Sequence, residues 1–207
     1  MFIERLKEKF DIDEPIFTQE ILDLFSDYSR AQVFRFINKA KVNGEIIQYD
    51  KGTYYMPKQT IIGLSTLIPD EIIQKKYLSS GDDIYGVYSG IQLLNMFSVT
   101  TQVPAVIEIV SNNESSKCRQ ITIKGRRFIL RRSRFEINRE NVYEYLILQL
   151  FNDFSNETKL NNTSRKKLLD YIKEKGITQK KLLDMALKFP ARTIQKLIRS
   201  GIINDVA

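Results

Sequence analysis

Across residues 1–60 the apolar spacing keeps switching between helical and strand-like periods, and each switch coincides with a turn residue. Such a segment cannot form one long helix or one broad sheet. It must fold as several small elements around a shared core. Ile3, Leu6 and Phe10 recur at helical spacing, and Asp11, Asp13 and Pro15 end that run. Thr18, ahead of Glu20, Ile21, Leu22, Leu24 and Phe25, predicts a second short helix whose first orphan amide is capped by the Thr18 hydroxyl. Beyond Ser26 and Asp27 a third helix is expected from about Ser29 to Asn43. Its apolar stripe is Val33, Phe36, Ile37 and Ala40, and Gly44 stops it. Glu45–Tyr49 and Thr53–Pro57 then read as β-rich segments joined by the tight turn Asp50-Lys51-Gly52.

Three short helices followed by a β-hairpin describe a winged helix-turn-helix, whose third helix enters the major groove of DNA. On a helical wheel Tyr28, Gln32, Arg35 and Lys39 project together, away from the apolar stripe, with Ser29 beside them. Arg35 and Lys39 would anchor on phosphates, Gln32 could address a base edge, and Lys51 at the wing tip would reach the flanking backbone. Tyr28, Ser29, Gln32, Arg35, Lys39 and Lys51 are therefore the candidate DNA contacts. The segment holds nine cations and ten carboxylates, a balance equally compatible with a winged helix that contacts protein and never meets DNA.

The remainder predicts an α+β region. A helix is expected from Pro69 to Leu78, a turn-rich connection from Asp82 to Gly90, and a further helix at Leu93 and Leu94. Val103–Val110, Arg119–Ile123 and Phe128–Arg131 read as strands, with Ser111-Asn112-Asn113 and Lys124-Gly125 as the turns, so a small antiparallel sheet is expected. Tyr143, Leu146, Ile147 and Leu150 describe an amphipathic helix that would pack on it. Three terminal helices follow, roughly Arg165 to Lys175, Gln179 to Lys188 and Ala191 to Ser200. The expected domains are a winged helix over 1–58 and a C-terminal domain over 59–207, itself α+β over 59–155 and helical over 163–203.

Composition decides what chemistry remains. The chain has 207 residues with 32 Lys and Arg against 25 Asp and Glu, giving +7, and it has no histidine. His-dependent triads, His phosphotransfer and His-ligated metal sites are thereby excluded. Asp82, Asp83 and Glu108 could be nominated for a metal-dependent nuclease, but Val110 stands where its lysine would fall. No Gly-rich phosphate loop of Walker type occurs, and Cys118 has no histidine to activate it. No catalytic residue, metal or cofactor is expected. The single cysteine, the charged start and the lack of a long apolar run suggest a cytoplasmic protein outside the membrane.

The cations cluster from Lys117 to Arg134, a stretch without one carboxylate. Arg119, Arg126, Arg127, Arg131, Arg132 and Arg134 form a basic patch suited to DNA or an acidic partner, although strand cations can equally be a solvated face. By strand alternation Phe128 and Leu130 mark the buried face, while Arg127 and Arg131 point to solvent.

The helix Arg35-Phe-Ile running to Gly44-Glu-Ile, then Gly52-Thr-Tyr-Tyr-Met-Pro57, Ser89-Gly90 and above all Thr100-Thr-Gln-Val-Pro104 resemble the AbiEi-type antitoxins over nearly the entire chain. Ser98-Val99 replaces a Gly-Leu pair expected there. The resemblance implies the antitoxin of a type IV toxin-antitoxin, or abortive phage infection, system. Such a protein would repress its own operon by binding double-stranded promoter DNA as a monomer or dimer, with a nucleotidyltransferase-like toxin as functional partner. A plain winged-helix repressor, or an interaction module that does not bind DNA, remains the alternative.

Overall fold

The computed structural model of the protein describes residues 2–155 and 159–205, and contacts divide it into two compact units, one reaching to Lys75 and the other starting at Lys76. Each is a mixture of helices and small sheets, so the α+β class holds.

The first unit runs α1 (Phe2–Lys9), β1 (Ile16–Phe17), α2 (Thr18–Leu24), α3 (Arg30–Val42), β2 (Ile47–Asp50), β3 (Thr53–Tyr55), β4 (Gln59–Thr60), β5 (Gly63–Leu64) and α4 (Pro69–Ile73). β3 lies between β1 and β2, antiparallel to both. Leu6, Ile21, Val33, Ile37 and Ile46 meet in its core and are almost wholly removed from water. The expected cap on α2 is corrected: Thr18 is already helical, and its hydroxyl donates to the Gly52 carbonyl at 3.2 Å. The helix start is held instead by Glu20, which accepts from the Phe17 amide at 2.7 Å. The Thr18 side chain is spent on joining α2 to the hairpin.

The boundary expected after residue 58 moves to Lys75, because residues 59–75 fold back on what precedes them. Tyr55 Oη donates to the Ser65 carbonyl at 2.9 Å, and Ser65 Oγ donates to Asp13. Buried Lys75 pairs with Glu14 at 2.7 Å and Glu20 at 2.8 Å, and donates to the Pro15 carbonyl at 2.7 Å. A cation withdrawn from water is tolerated only with such partners. The helix expected to reach Leu78 is α4 followed by a π-type turn over Gln74–Leu78.

The second unit runs β6 (Ser79–Ser80), β7 (Asp83–Ile84), β8 (Gly86–Ser89), α5 (Gly90–Met96), β9 (Ile107–Ser111), β10 (Arg119–Ile123), β11 (Arg126–Arg132), α6 (Val142–Asp153), α7 (Asn162–Glu174), α8 (Gln179–Ala186) and α9 (Ala191–Arg199). The segment expected as a turn-rich connection over Asp82–Gly90 contains β8, an edge strand of the main sheet, whose order is β10-β11-β9-β8. The expected antiparallel sheet is mixed instead, since β9 and β11 pair in parallel. The physical reason lies in residues 112–118. Asn112 does not turn the chain straight back; its side chain donates to the Ile137 carbonyl at 2.7 Å and accepts from Ser133 Oγ and the Ile137 amide, both at 2.9 Å. The chain therefore travels past the place of β11 before returning as β10. Residues 103–106, expected as strand, precede β9 as irregular chain.

α6 is the centre of this unit. Every residue from Glu144 to Phe151 is buried, with the sheet on one side and α8 and α9 among its other neighbours. The charge of Glu144 is met by Lys181 at 2.9 Å.

Gly86 is where β8 comes closest to neighbouring backbone. A Cβ there would lie 2.0 Å from the Tyr77 carbonyl oxygen and 3.0 Å from that of Val110. Neither atom can swing aside as a side chain could. Gly86→Ala is expected to lower stability by about 3 kcal/mol or more. The check is the midpoint of denaturant unfolding against the parent protein; an unchanged midpoint refutes this packing.

Candidate functional site

α3 carries four cations, Arg30, Arg35, Lys39 and Lys41, and no carboxylate. Ser29 is its N-cap. Ser29 Oγ accepts from the Gln32 amide at 3.3 Å, while Gln32 Oε1 accepts from the Ser29 amide at 3.0 Å and from Ser29 Oγ at 2.9 Å. This reciprocal box satisfies backbone donors that the first turn would otherwise orphan. It also orients Gln32, whose Nε2 has no hydrogen-bond partner among the described residues and remains a donor.

Arg35 and Lys39 are exposed on α3, and Lys51 is exposed at the tip of the β2–β3 hairpin, beside Asp50, whose carboxylate accepts the Lys51 amide at 2.6 Å. Tyr28 is a correction. Its ring does not project with the others but is half-buried, edge-on to Phe36 at 5.3 Å between centroids and 6.3 Å from Phe25. The residue precedes the helix, so the wheel extrapolates past the cap where the backbone has left helical geometry. Sequence reasoning also passes over Ala31, Asn38 and Val42, which are exposed on the same helix; completing the wheel around Arg35 would find them. The face mixes cations and an amide with small apolar surface.

In the second unit the arginine-rich segment does not form one patch. Arg119 binds Glu114 at 2.7 Å and Tyr77 Oη at 3.1 Å. Its hydrogen bond with Glu114 pushes its guanidinium further up. Burial pushes the Glu114 carboxyl up, but hydrogen bonds from the Ser116 amide and Arg119 outweigh it and leave the group below the ordinary carboxylate range. Phe128 and Leu130 are fully buried, as alternation predicts. Arg131 is corrected: it shares a face with Val110 and Glu108 and pairs with Glu108 at 2.7 Å instead of pointing to solvent. That carboxylate comes from the parallel neighbour, which no local pattern announces. Arg126, Arg127 and Arg132 are exposed, and Arg134 stacks over Phe189, 5.4 Å from its centroid.

Arg131, Arg132 and Arg134 line a cleft of about 630 Å³ together with Lys117, Cys118 and Arg192. Its polar floor includes Glu108, Gln149 and Asp153. Asp153 accepts from the Gly90 amide at 2.7 Å, Ser89 Oγ at 2.8 Å and Gln149 Nε2 at 2.7 Å. Burial nevertheless raises its carboxyl above its ordinary value. Folding thus favours the protonated Asp153, so its contribution to stability falls as pH rises past that ordinary value; Glu114 has the opposite sign and loses its contribution as pH falls. That Arg192, Gln149 and Asp153 join the arginines of β11 in one cleft escapes a reading of the sequence, because they lie on helices far along the chain from β11.

The nominated nuclease acids do not assemble. Asp82 pairs with Arg139 and Glu108 with Arg131, and among the described residues no group of three or more acidic or cysteine side chains could hold a metal ion. No described helix is long and apolar enough to cross a membrane. No model of a known protein family matches this chain, and no curated protein matches it.

The Thr100–Pro104 run lies between α5 and β9, and Val103 there is 87% exposed. Ser98, just before it, has φ +56°, in the left-handed region that glycine adopts without cost. A serine therefore stands where the backbone conformation suits glycine. Ser98→Gly is expected to stabilise the protein by up to about 1 kcal/mol, read as a rise in Tm; a fall of that size would mean that the Ser98 hydroxyl, 3.4 Å from Lys167 Nζ, matters more than the backbone.

Proposed function

We propose that the first unit is a winged helix-turn-helix that binds the protein's own promoter as duplex DNA, with α3 in the major groove and the β2–β3 hairpin as the wing. The observation that carries this reading is the capped, carboxylate-free α3, with Arg35, Asn38 and Lys39 exposed and an unused Gln32 amide donor. Arg35 and Lys39 hold phosphates, Gln32 and Asn38 address base edges, and Lys51 meets the backbone beside the groove. The acidic balance of the segment does not oppose this, because Glu14 and Glu20 are paired with Lys75 and Asp27 with Arg5, and α3 itself carries no carboxylate.

On this reading the chain is an antitoxin that represses its own operon and counters a nucleotidyltransferase-like toxin. The toxin half of the proposal rests on the AbiEi-like residues, Ser89-Gly90 and Thr100–Pro104.

A gel-shift titration with the DNA upstream of the gene tests the binding. The parent protein is expected to bind it specifically. Arg35→Ala with Lys39→Ala should weaken binding and reduce the log-log salt slope by about 0.9 for each phosphate that is no longer neutralised. Asn38→Ala should cost about 1–3 kcal/mol on the operator and little on unrelated duplex. Equal binding by parent and double variant would remove α3 as the reader. The reading expects a nucleotidyltransferase-like gene beside this one, and co-expression with it tests the second half: a plain repressor would leave the toxin active when both genes are driven from foreign promoters.

A further inference from the structure

We propose that the cationic cleft of the second unit is a binding site for a small phosphate ester with a hydroxyl-bearing body, a sugar phosphate or nucleotide. The proposal concerns the other unit and does not rest on the DNA-binding reading.

The cations reach the cleft from separate places: Lys117 from the connection before β10, Arg132 from the end of β11, Arg134 just beyond it, and Arg192 from the first turn of α9. Among the described residues none of these four has a carboxylate within ion-pair distance. Bringing like charges together without counterions costs free energy, and an anion in the cleft offsets it. Arg131 is the exception, and its pairing is informative. Glu108 clamps the guanidinium at 2.7 Å, so its direction is set before any ligand arrives.

Size and floor narrow the ligand. About 630 Å³ falls within the usual range of small-molecule sites, ~300–1,000 Å³. It equals roughly twenty water volumes, far more than a bare phosphate needs. The floor carries Glu108, Asp153 and the Gln149 carboxamide, while the cations include exposed Arg132 and Arg192. Glu108 is taken up by Arg131 and Asp153 by its own donors, while the Gln149 carboxamide oxygen accepts no hydrogen bond among the described residues and is open to a sugar hydroxyl. The arrangement therefore suits a ligand with one charged end and one hydroxylated end. Gln149 Nε2 donates to Ser89 and to Asp153, which Ser89 and Gly90 hold in turn, so the carboxamide oxygen is fixed in advance.

Cys118 lines the same cleft, is exposed, and is the chain's single cysteine, so its reaction with a thiol reagent reports on occupancy. The whole chain is titrated calorimetrically with AMP, ribose 5-phosphate, inorganic phosphate and adenosine, and Cys118 labelling is timed with each. AMP or ribose 5-phosphate should bind and slow labelling, with adenosine and inorganic phosphate at least tenfold weaker. Arg132→Gln with Arg192→Gln should weaken ester binding tenfold or more, and Lys117→Gln, on an exposed connection, provides an independent variant. Arg127→Gln, outside the cleft, should change nothing. Failure of both esters to bind, full affinity in the variants, or equal affinity for inorganic phosphate would overturn the proposal. So would a short DNA duplex that protects Cys118 when the esters do not.

Discussion

The parallel pairing of β9 with β11 is the constraint on which the second unit depends. It sets Val110 beside Arg131 and Glu108 beside Ile129, so that cations from the end of β11 arrive over the same helix that carries Gln149 and Asp153. Had residues 112–118 made the tight turn expected of Asn112-Asn113, the strands would have run antiparallel. The cations and the carboxylate would then have faced different neighbours. The cost of the longer path is met by the Asn112 side chain, which exchanges three hydrogen bonds with the chain beyond β11.

α6 converts that register into a site. A helix buried on nearly every side cannot shift to suit a surface, so its C-terminal polar residues are positioned by the packing of the apolar ones before them. Ser89 and Gly90, at the junction of β8 and α5, then meet Asp153. A Cβ at Gly90 would fall 2.5 Å from Glu108 Oε1, so the same glycine makes room for the carboxylate that clamps Arg131. Strand, helix and cleft are thus linked by few residues, each satisfying another's buried polar group.

In the first unit the comparable element is the Lys75 ammonium, which draws Glu14 and Glu20 together and donates to the Pro15 carbonyl. It sets a cation from outside residues 1–60 against two of that segment's carboxylates and secures residues 59–75. The cations of α3, a helix without a carboxylate, form no ion pair among the described residues, which a count of charges along residues 1–60 does not reveal.

What the sequence determines by itself is the kind of element each stretch forms and the face it buries, where these depend on near neighbours. Period and punctuation are enough for α1, α2, α3 and the β2–β3 hairpin, and two-residue alternation is enough to bury Phe128 and Leu130, because helical and strand faces are set by spacing along one stretch of chain. Only the tertiary structure decides what distant residues become to one another. β8 reads as a turn because its few residues include a glycine, and that glycine is needed only where the Tyr77 and Val110 carbonyls crowd it. Thr18 becomes a link to Gly52 instead of a cap, Tyr28 turns into an aromatic cluster, and Arg131 finds Glu108 across a parallel ladder. Arg192 joins β11's arginines from α9. Such pairings are chosen by the packing of whole elements, a choice among long-range contacts that leaves no period in the sequence to read.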